Sequence, residues 1–150
     1  MKRYIVHYTV FLFCFLATGL FDFVVIAQGH DLDTARVVVV RSVYDGDTFR
    51  ADIDGPSPMA GRNVSIRVAD IDTPEIKGHC SEEIHLARKA RDLTASLLKA
   101  GSAVELKNLR RGYYGRIVAE VWIDGESLGA SLLGRGLARQ YYSWSRQKWC

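Results

Sequence analysis

The sequence predicts an α+β domain that is mainly β: a five-stranded barrel with one long helix between strands 3 and 4 and a short helix after strand 5. Three observations carry this prediction. Polar and apolar residues alternate in several segments of the first and last parts of the chain. A single stretch between them has helical spacing, and turn sequences rich in Gly, Asp and Pro separate the segments.

The first part of the chain predicts three strands. Residues 35–44 form a β-branched run, residues 48–54 alternate, and Asp-Gly-Asp lies between them, which is the pattern of a hairpin. After an interruption by Pro and Gly, residues 62–71 alternate again, with the inward positions held by Val64, Ile66 and Val68. We therefore expect a third strand that ends at Ile71.

The second part predicts the helix and two more strands. From Glu82 to Lys99 the period changes, and one helical stripe contains Leu86, Ala90, Leu93 and Leu97. Strands are expected at 102–109 and 116–123, followed by a short helix over 127–134. The aromatic and basic tail, residues 136–150, has no clear period. Elements in this order match the OB-fold, a small barrel that often binds oligonucleotides.

The N-terminus has the pattern of a secretory signal peptide. Two basic residues precede a continuous apolar run from residue 8 to residue 20, and small residues end the segment. We expect cleavage after Ala27, which leaves residues 28–150 as one domain. The protein would then be exported, to the periplasm or the medium.

An uncleaved membrane anchor is the alternative for residues 1–27. The segment from Ile5 to Ile26 has the length of a bilayer span. His7 and Asp22 inside it make it a poor one, because charged and polar groups are costly in the hydrocarbon core.

Charge and cysteine content narrow the function classes. The net charge is +3 and becomes about +2 without the signal segment. This fits a polyanionic partner but is too small for a dedicated nucleic-acid coat protein.

Cys80 and Cys150 remain in the exported form, where two cysteines favour one disulfide over two free thiols. Neither His79 nor His85 has zinc-site spacing from Cys80.

Carboxylates cluster at two predicted strand ends, and the candidates are Asp45, Asp47, Asp70, Asp72 and Glu75. Like charges packed this closely repel, and a divalent cation with oxygen ligands, calcium or magnesium, would neutralise them. A closed barrel can bring both strand ends to one rim. The hairpin turn is not an EF-hand loop, because a Phe and an Arg occupy positions that require an oxygen ligand and a glycine.

Two arginines complete the candidate site. Arg67 precedes the second group of acids, and Arg116 begins the fifth strand. Guanidinium groups match phosphate oxygens and neutralise the charge that develops in phosphoryl transfer. A metal, two arginines and a further carboxylate are the parts of a phosphodiester hydrolysis site. The alternative for either arginine alone is a surface residue paired with a nearby acid.

Three motifs resemble the signature segments of the staphylococcal nuclease (thermonuclease) family. They are "DGDT" at 45–48, "RVADIDTPE" at 67–75 and "YGR" at 114–116, and their order and spacing agree with the family over residues 35–142. The resemblance implies an OB-fold barrel and a calcium-dependent hydrolase of DNA and RNA. In the family the 5′ P–O bond breaks, which leaves 3′-phosphate and 5′-hydroxyl ends. We expect a monomer with no obligate protein partner.

The resemblance also implies a role for each matched residue. Asp47 and Asp72 would bind calcium through carboxylates and Thr73 through its backbone carbonyl. Glu75 would be the general base for the attacking water. The scissile phosphate would be bound by Arg67 and Arg116. Asp70 has no firm role, and a structural role and one at the edge of the metal site both stay open.

The resemblance is looser in the outer parts of the site. Tyr114 matches a tyrosine of the nucleotide pocket, whereas Tyr113 replaces a lysine that contacts a terminal phosphate, and Tyr142 or its neighbour Tyr141 could stack on a base. The C-terminal helix of the family has little counterpart, and a bond between Cys80 and Cys150 could fasten the shortened tail.

A non-catalytic binding module is the competing function. Some nuclease-like barrels keep the groove and lose the chemistry. Every acid and arginine implied by the resemblance is present in this chain, which favours an active enzyme.

Overall fold

The computed structural model describes residues 33–142 and 148–150. The signal segment predicted for residues 1–27 lies outside these residues, so its cleavage stays a prediction. Within the described part, no helix combines the length and the hydropathy needed to cross a membrane.

The described residues form a mixed barrel with two α-helices. In chain order the elements are β1 (Ala35–Val43), β2 (Thr48–Asp54), β3 (Gly61–Val68), β4 (Ile71–Asp72), α1 (Ser81–Ala100), β5 (Val104–Arg111), a 3₁₀ turn (Tyr113–Gly115), β6 (Ile117–Ile123), β7 (Glu126–Ser127), α2 (Leu128–Gly134) and β8 (Arg139–Gln140). The predicted fold class is confirmed: β1, β2, β3, β5 and β6 are the five long strands, and the helices stand where the sequence predicts them.

The five long strands close on themselves. Their order is β3-β2-β1-β5-β6, and β3 returns to pair with β6 in parallel, with Ile66 opposite Ile117. The other pairings in this ring are antiparallel. Closure removes the exposed strand edges of an open sheet and fixes the end of β3 next to the β1–β2 turn.

The barrel interior is apolar. The inward positions of the strands are fully buried, as at Phe49, Ile66 and Leu106, and α2 adds Leu128 and Leu132 to the same core. Each side chain of this size stabilises the fold by about 1.5–3 kcal/mol through removal from water. Of the three positions predicted to point inward in the third strand, Ile66 and Val68 are core residues, whereas Val64 is only half-buried.

The prediction that the third strand ends at Ile71 is wrong. β3 ends at Val68, a turn follows, and Ile71 and Asp72 form the separate strand β4, which pairs with β8 in the tail. Asp70 turns the chain with a φ of 59°, a left-handed conformation that Asp tolerates better than most residues. Its carbonyl accepts hydrogen bonds from the Tyr141 amide at 2.9 Å and the Gln140 side chain at 3.0 Å.

The buried face of α1 is also displaced from the predicted stripe. The fully buried residues are Glu83, Ala87, Ala90, Thr94 and Leu98, and of the predicted stripe only Ala90 is among them. The leucines of that stripe are half-buried at the flanks. Close approach explains the difference, because a Cβ at Gly46 would lie only 2.6 Å from the Ala90 Cβ.

Cys80 and Cys150 are joined in the structure, with the sulfur atoms 2.09 Å apart across 70 positions of sequence. A link that closes a loop of this length stabilises a fold by roughly 4 kcal/mol in the loop-entropy model. The bond joins the residue before α1 to the end of the chain.

We expect the purified protein to contain this disulfide, with a Cys80→Ser/Cys150→Ser variant less stable by roughly 4 kcal/mol. Mass spectrometry of unreduced and reduced digests, together with urea unfolding, measures both. Unreduced digests with separate Cys80 and Cys150 peptides would contradict the bond. The serine at position 80 can still cap α1, so loss of the cap does not confound the result.

Candidate active site

Two acidic segments meet at one rim of the barrel. The β1–β2 turn carries Asp45 and Asp47, whereas Asp72 ends β4 and Glu75 lies in the segment that follows it. The Val68 amide donates to the Asp47 carbonyl at 2.8 Å, so the end of β3 is bonded directly to the turn. The barrel thus brings strand ends that are distant in sequence to the same place.

The Asp47 carboxylate is buried and surrounded by donors. Its side chain is 2% exposed. Oδ1 accepts from the Thr48 hydroxyl at 2.8 Å and from Arg67, and Oδ2 accepts from the Thr73 amide at 3.0 Å and hydroxyl at 3.1 Å. A buried charge is tolerated only when it is paired and hydrogen-bonded in this way.

Arg67 bridges the two metal-ligand candidates. One terminal nitrogen contacts Asp47, and the other donates to Asp72 Oδ1 at 3.1 Å and to the Ile71 carbonyl at 3.2 Å. The Tyr141 ring lies 5.9 Å from the guanidinium carbon. The Arg67 guanidinium therefore pairs with two carboxylates, and both of these carboxylates are buried.

Negative charge is concentrated in the turn itself. Burial, reinforced by the charges of Asp47 and Glu75, raises the pKa of Asp45 to about 7. The Asp45 Oδ1 accepts a hydrogen bond from the Asp47 amide at 3.1 Å, and this bond shapes the turn. The charge of Glu75 therefore reaches the turn, so the three acids belong to one cluster.

Helix α1 supports both acidic segments from behind. The Thr94 hydroxyl donates to the Gly46 carbonyl at 2.7 Å and so holds the turn. The Glu83 carboxylate accepts the His79 amide at 2.8 Å and the Glu75 amide at 3.4 Å. A Cβ at Gly78 would lie within 2.6 Å of this carboxylate, so the loop that follows Glu75 wraps closely around it.

Glu83 is a site residue that the sequence argument missed. It lies in the first turn of α1 and is 5% exposed. The available signal was its position three residues after the helix cap Cys80, the spacing at which an acid commonly bonds the backbone ahead of a helix. Thr94 was missed because its turn contact cannot be seen in a one-dimensional pattern.

Two of the candidate tyrosines lie in the 3₁₀ turn, and Arg116 directly follows it. The Arg116 Nε donates to the Tyr113 carbonyl at 3.4 Å, and its guanidinium carbon lies 5.7 Å from the Tyr114 ring. These contacts stay within the turn and do not reach the carboxylates. β6 begins at the next residue and pairs with β3, which places Arg116 beside the strand that carries Arg67.

The three candidate tyrosines present their rings to solvent. Tyr113 is 86% exposed, Tyr114 94% and Tyr142 65%. Tyr114 has a φ of 60°, an uncommon conformation for a bulky residue. Tyr141 differs from them because it packs against Arg67 and is half-buried.

Asp70 stands apart from the acid cluster. Its exposed carboxylate pairs with Arg110 at 3.2 Å, and its carbonyl anchors the tail strand. The structure therefore assigns Asp70 a structural role in the turn between β3 and β4.

The donor set fits a hard divalent cation. Asp47 and Asp72 approach a common positive group, the Arg67 guanidinium, and the remaining candidate ligands are also oxygens. Burial, followed by the negative charges of Asp47 and Glu75, raises the pKa of Asp45, so additional positive charge at the rim would favour its ionised form. Thr73 is held at the rim, because its amide and its hydroxyl both donate to Asp47 Oδ2.

Fold and rim together define the class: an OB-fold barrel whose strand ends carry a buried cluster of carboxylates and an arginine. The chain belongs to the staphylococcal nuclease family. Its sequence matches the family described as "Staphylococcal nuclease homologue" over residues 65–149. The matched segment contains Arg67, Asp72 and Glu75, whereas the turn with Asp47 lies before it.

Individual relatives agree with this assignment. The chain is 35% identical over 108 residues to the SPbeta prophage-derived endonuclease YokF of Bacillus subtilis (strain 168), covering 70% of this chain and 34% of that protein. It is 33% identical over 107 residues to endonuclease YncB of the same organism, covering 70% and 48%. It is 31% identical over 102 residues to the thermonuclease of Staphylococcus hyicus, covering 67% and 56%. The chain thus spans about a third to just over half the length of these relatives.

In the presence of a chelator, we expect the free energy of unfolding of Arg67→Met to be about 3–5 kcal/mol lower than that of the wild type. Two buried carboxylates lose their shared counter-charge in this variant. Millimolar calcium should recover part of this loss, since a ligand that binds only the native state stabilises it. Urea unfolding with chelator and with calcium measures both effects.

Arg110→Met is the matched control. Its pair with Asp70 has a similar distance, 3.2 Å, but both side chains are more than half exposed, so the expected cost is about 1 kcal/mol or less. Equal losses for the two variants would show that the buried carboxylates do not depend on Arg67.

Proposed function

We propose that this domain is a calcium-dependent nuclease that hydrolyses phosphodiester bonds in DNA and RNA and leaves 3′-phosphate and 5′-hydroxyl ends. The observation that carries the proposal is the convergence of Asp47, Arg67 and Asp72 on one rim, with Glu75 in the adjoining segment. Family membership and the relatives named endonuclease and thermonuclease support the same class of chemistry.

Calcium would be held by the carboxylates of Asp47 and Asp72 with Thr73 beside them. When bound, it would polarise the phosphate and offset negative charge that develops on the phosphate oxygens. The buried position of Asp47 restricts its motion, because four donors fix its two oxygens. A ligand held this firmly loses little conformational entropy when a cation binds.

Glu75 is the proposed general base. It is half-buried and lines an open pocket together with Asp72, so it lies next to the cation site and within reach of solvent. Its amide is bonded to Glu83 and its carbonyl accepts the Gly78 amide at 2.9 Å. The backbone that carries the base is therefore fixed on both sides, which suits a group that must meet a water molecule in one orientation.

The arginines are proposed to bind the scissile phosphate. Arg67 holds Asp47 and Asp72 in this structure. Once these carboxylates share their charge with a cation, its guanidinium can turn part of its donor set toward a phosphate. Arg116 would approach from the neighbouring strand. The exposed rings of Tyr113, Tyr114 and Tyr142 are suited to stacking on nucleic-acid bases.

Digestion of plasmid DNA and of RNA tests the proposal. We expect strong cleavage with calcium, none with chelator, and a loss of about 10²–10⁴-fold in Glu75→Gln, because the general base is removed. End-labelling of the products identifies the 3′-phosphate. Unchanged cleavage in chelator would contradict the role of the cation.

Glu126→Gln is the control for the charge change. Glu126 is exposed on β7, and its variant should cleave like the wild type. If wild-type protein binds oligonucleotides but cleaves neither substrate under any of these conditions, the domain is the non-catalytic binding module.

We further propose that residues 1–27 direct export and are removed. The support is the basic start and apolar run of this segment. When the full chain is expressed in a secreting bacterium, the exported protein should begin at Gln28. N-terminal sequencing of the medium, periplasm and membrane fractions measures this, and a membrane-bound protein that keeps Met1 would favour the anchor.

A further inference from the structure

A pocket of about 600 Å³ adjoins the acid cluster. It is formed where the loop after Glu75 meets the end of the chain, and its lining includes Asp72, Glu75, Lys77, Lys148, Trp149 and Cys150. Two of these are the proposed catalytic and metal-binding acids. The last three, Lys148 to Cys150, form a tail segment that has no part in the proposed catalytic mechanism.

Three contacts hold this tail in place. The disulfide joins Cys150 to Cys80. Arg139 donates to the Lys148 carbonyl at 2.9 Å, and its guanidinium carbon lies 4.1 Å from the centroid of the Trp149 ring. The backbone and the ring are thus fixed separately, so the tail forms a defined wall.

The position of Arg139 connects the wall to the site. Arg139 lies in β8 directly opposite Asp72 of β4. The strand that carries a metal-ligand candidate is therefore paired with the strand whose arginine holds Lys148 and Trp149. As a result, the tail keeps a fixed position relative to the point where a phosphodiester would be cut.

The chemistry of the wall suits a nucleotide. Lys77 and Lys148 are exposed ammonium groups and Trp149 is a half-buried indole, a combination that binds backbone phosphate and stacks on a base in single-stranded nucleic acid. The volume is in the range of small-ligand sites. Glu83, a further acid in the lining, already accepts two backbone amides.

We infer that this pocket is a binding subsite for a nucleotide next to the scissile phosphate, in which Lys148 contacts a flanking phosphate and Trp149 contacts its base. The inference rests on the proposed nuclease function and deepens it. It is separate from the tyrosine surface of the 3₁₀ turn, which the resemblance to the family already implies as a nucleotide contact.

Equilibrium binding tests the subsite. The probe is a fluorescein-labelled oligothymidylate of about 12 nucleotides, which is within the usual length of single-strand sites. The protein carries Glu75→Gln so that the probe stays intact in calcium. Fluorescence anisotropy gives Kd at several salt concentrations for Lys148→Ala and Trp149→Ala in this background.

The two variants should have different signatures. Trp149→Ala should raise Kd by about tenfold with an unchanged salt dependence, because stacking carries no charge. Lys148→Ala should raise Kd and reduce the slope of log Kd against log salt by about 0.7, the value for one phosphate contact in a single strand. A tail that is merely structural would not separate affinity from salt slope in this way.

Lys107 and Trp122 provide a matched control. They form a similar pair, with the Lys107 nitrogen 4.8 Å from the Trp122 ring centroid, but they lie on β5 and β6 and do not line the pocket. Lys107→Ala and Trp122→Ala should leave Kd within about twofold and the slope unchanged, because neither group meets the probe.

The outcome separates this inference from the proposed function. If wild-type protein cleaves DNA but Lys148→Ala or Trp149→Ala binds the probe like its parent, the subsite is wrong and the nuclease stands. If the two variants show the expected signatures while the wild type never cleaves, the subsite stands as part of a binding module.

Discussion

The structure of the rim depends on the buried negative charge of Asp47. An uncompensated carboxylate in this position would cost several kcal/mol, and its neighbours are arranged to prevent that. Thr48 and Thr73 donate to it, and Arg67 supplies the opposite charge. These donors come from β2, β3 and the segment after β4, so satisfying one carboxylate also brings together three parts of the chain. The geometry of the candidate site follows from this electrostatic requirement.

Helix α1 connects the two acidic segments of the rim to the rest of the domain. Two polar residues on its buried face, Glu83 and Thr94, each bond one of the acidic segments from behind. Small residues such as Ala90 allow the helix to approach the turn at Gly46. An apolar stripe of leucines would have held the helix on the barrel more simply but would have left both segments unsupported. The helix therefore serves the site as much as the core.

The sequence predicts the regular parts of this fold well, because alternation and helical spacing report directly on burial. It predicts the site candidates for a different reason, since clustered acids beside arginines need a shared cation. Its errors fall where contacts between distant segments override local pattern. The strand expected to end at Ile71 breaks at Asp70, which is anchored by Gln140 in the tail. The helix stripe is displaced because Glu83 and Thr94 take buried positions that a hydrophobic pattern assigns to leucines.

Residues 148–150 show how a segment without periodicity can still be held in place. Residues Lys148 to Cys150 have no strand or helix of their own, yet a covalent bond, a hydrogen bond and a ring contact fix them. The hydrogen bond and the ring contact both come from Arg139, the partner of Asp72 across β4 and β8. Order in the tail is therefore coupled to order at the rim: a change that displaces β8 would move the metal-ligand candidate and the pocket wall together. This coupling explains how Lys148, Trp149 and Cys150 line one pocket together with Asp72 and Glu75.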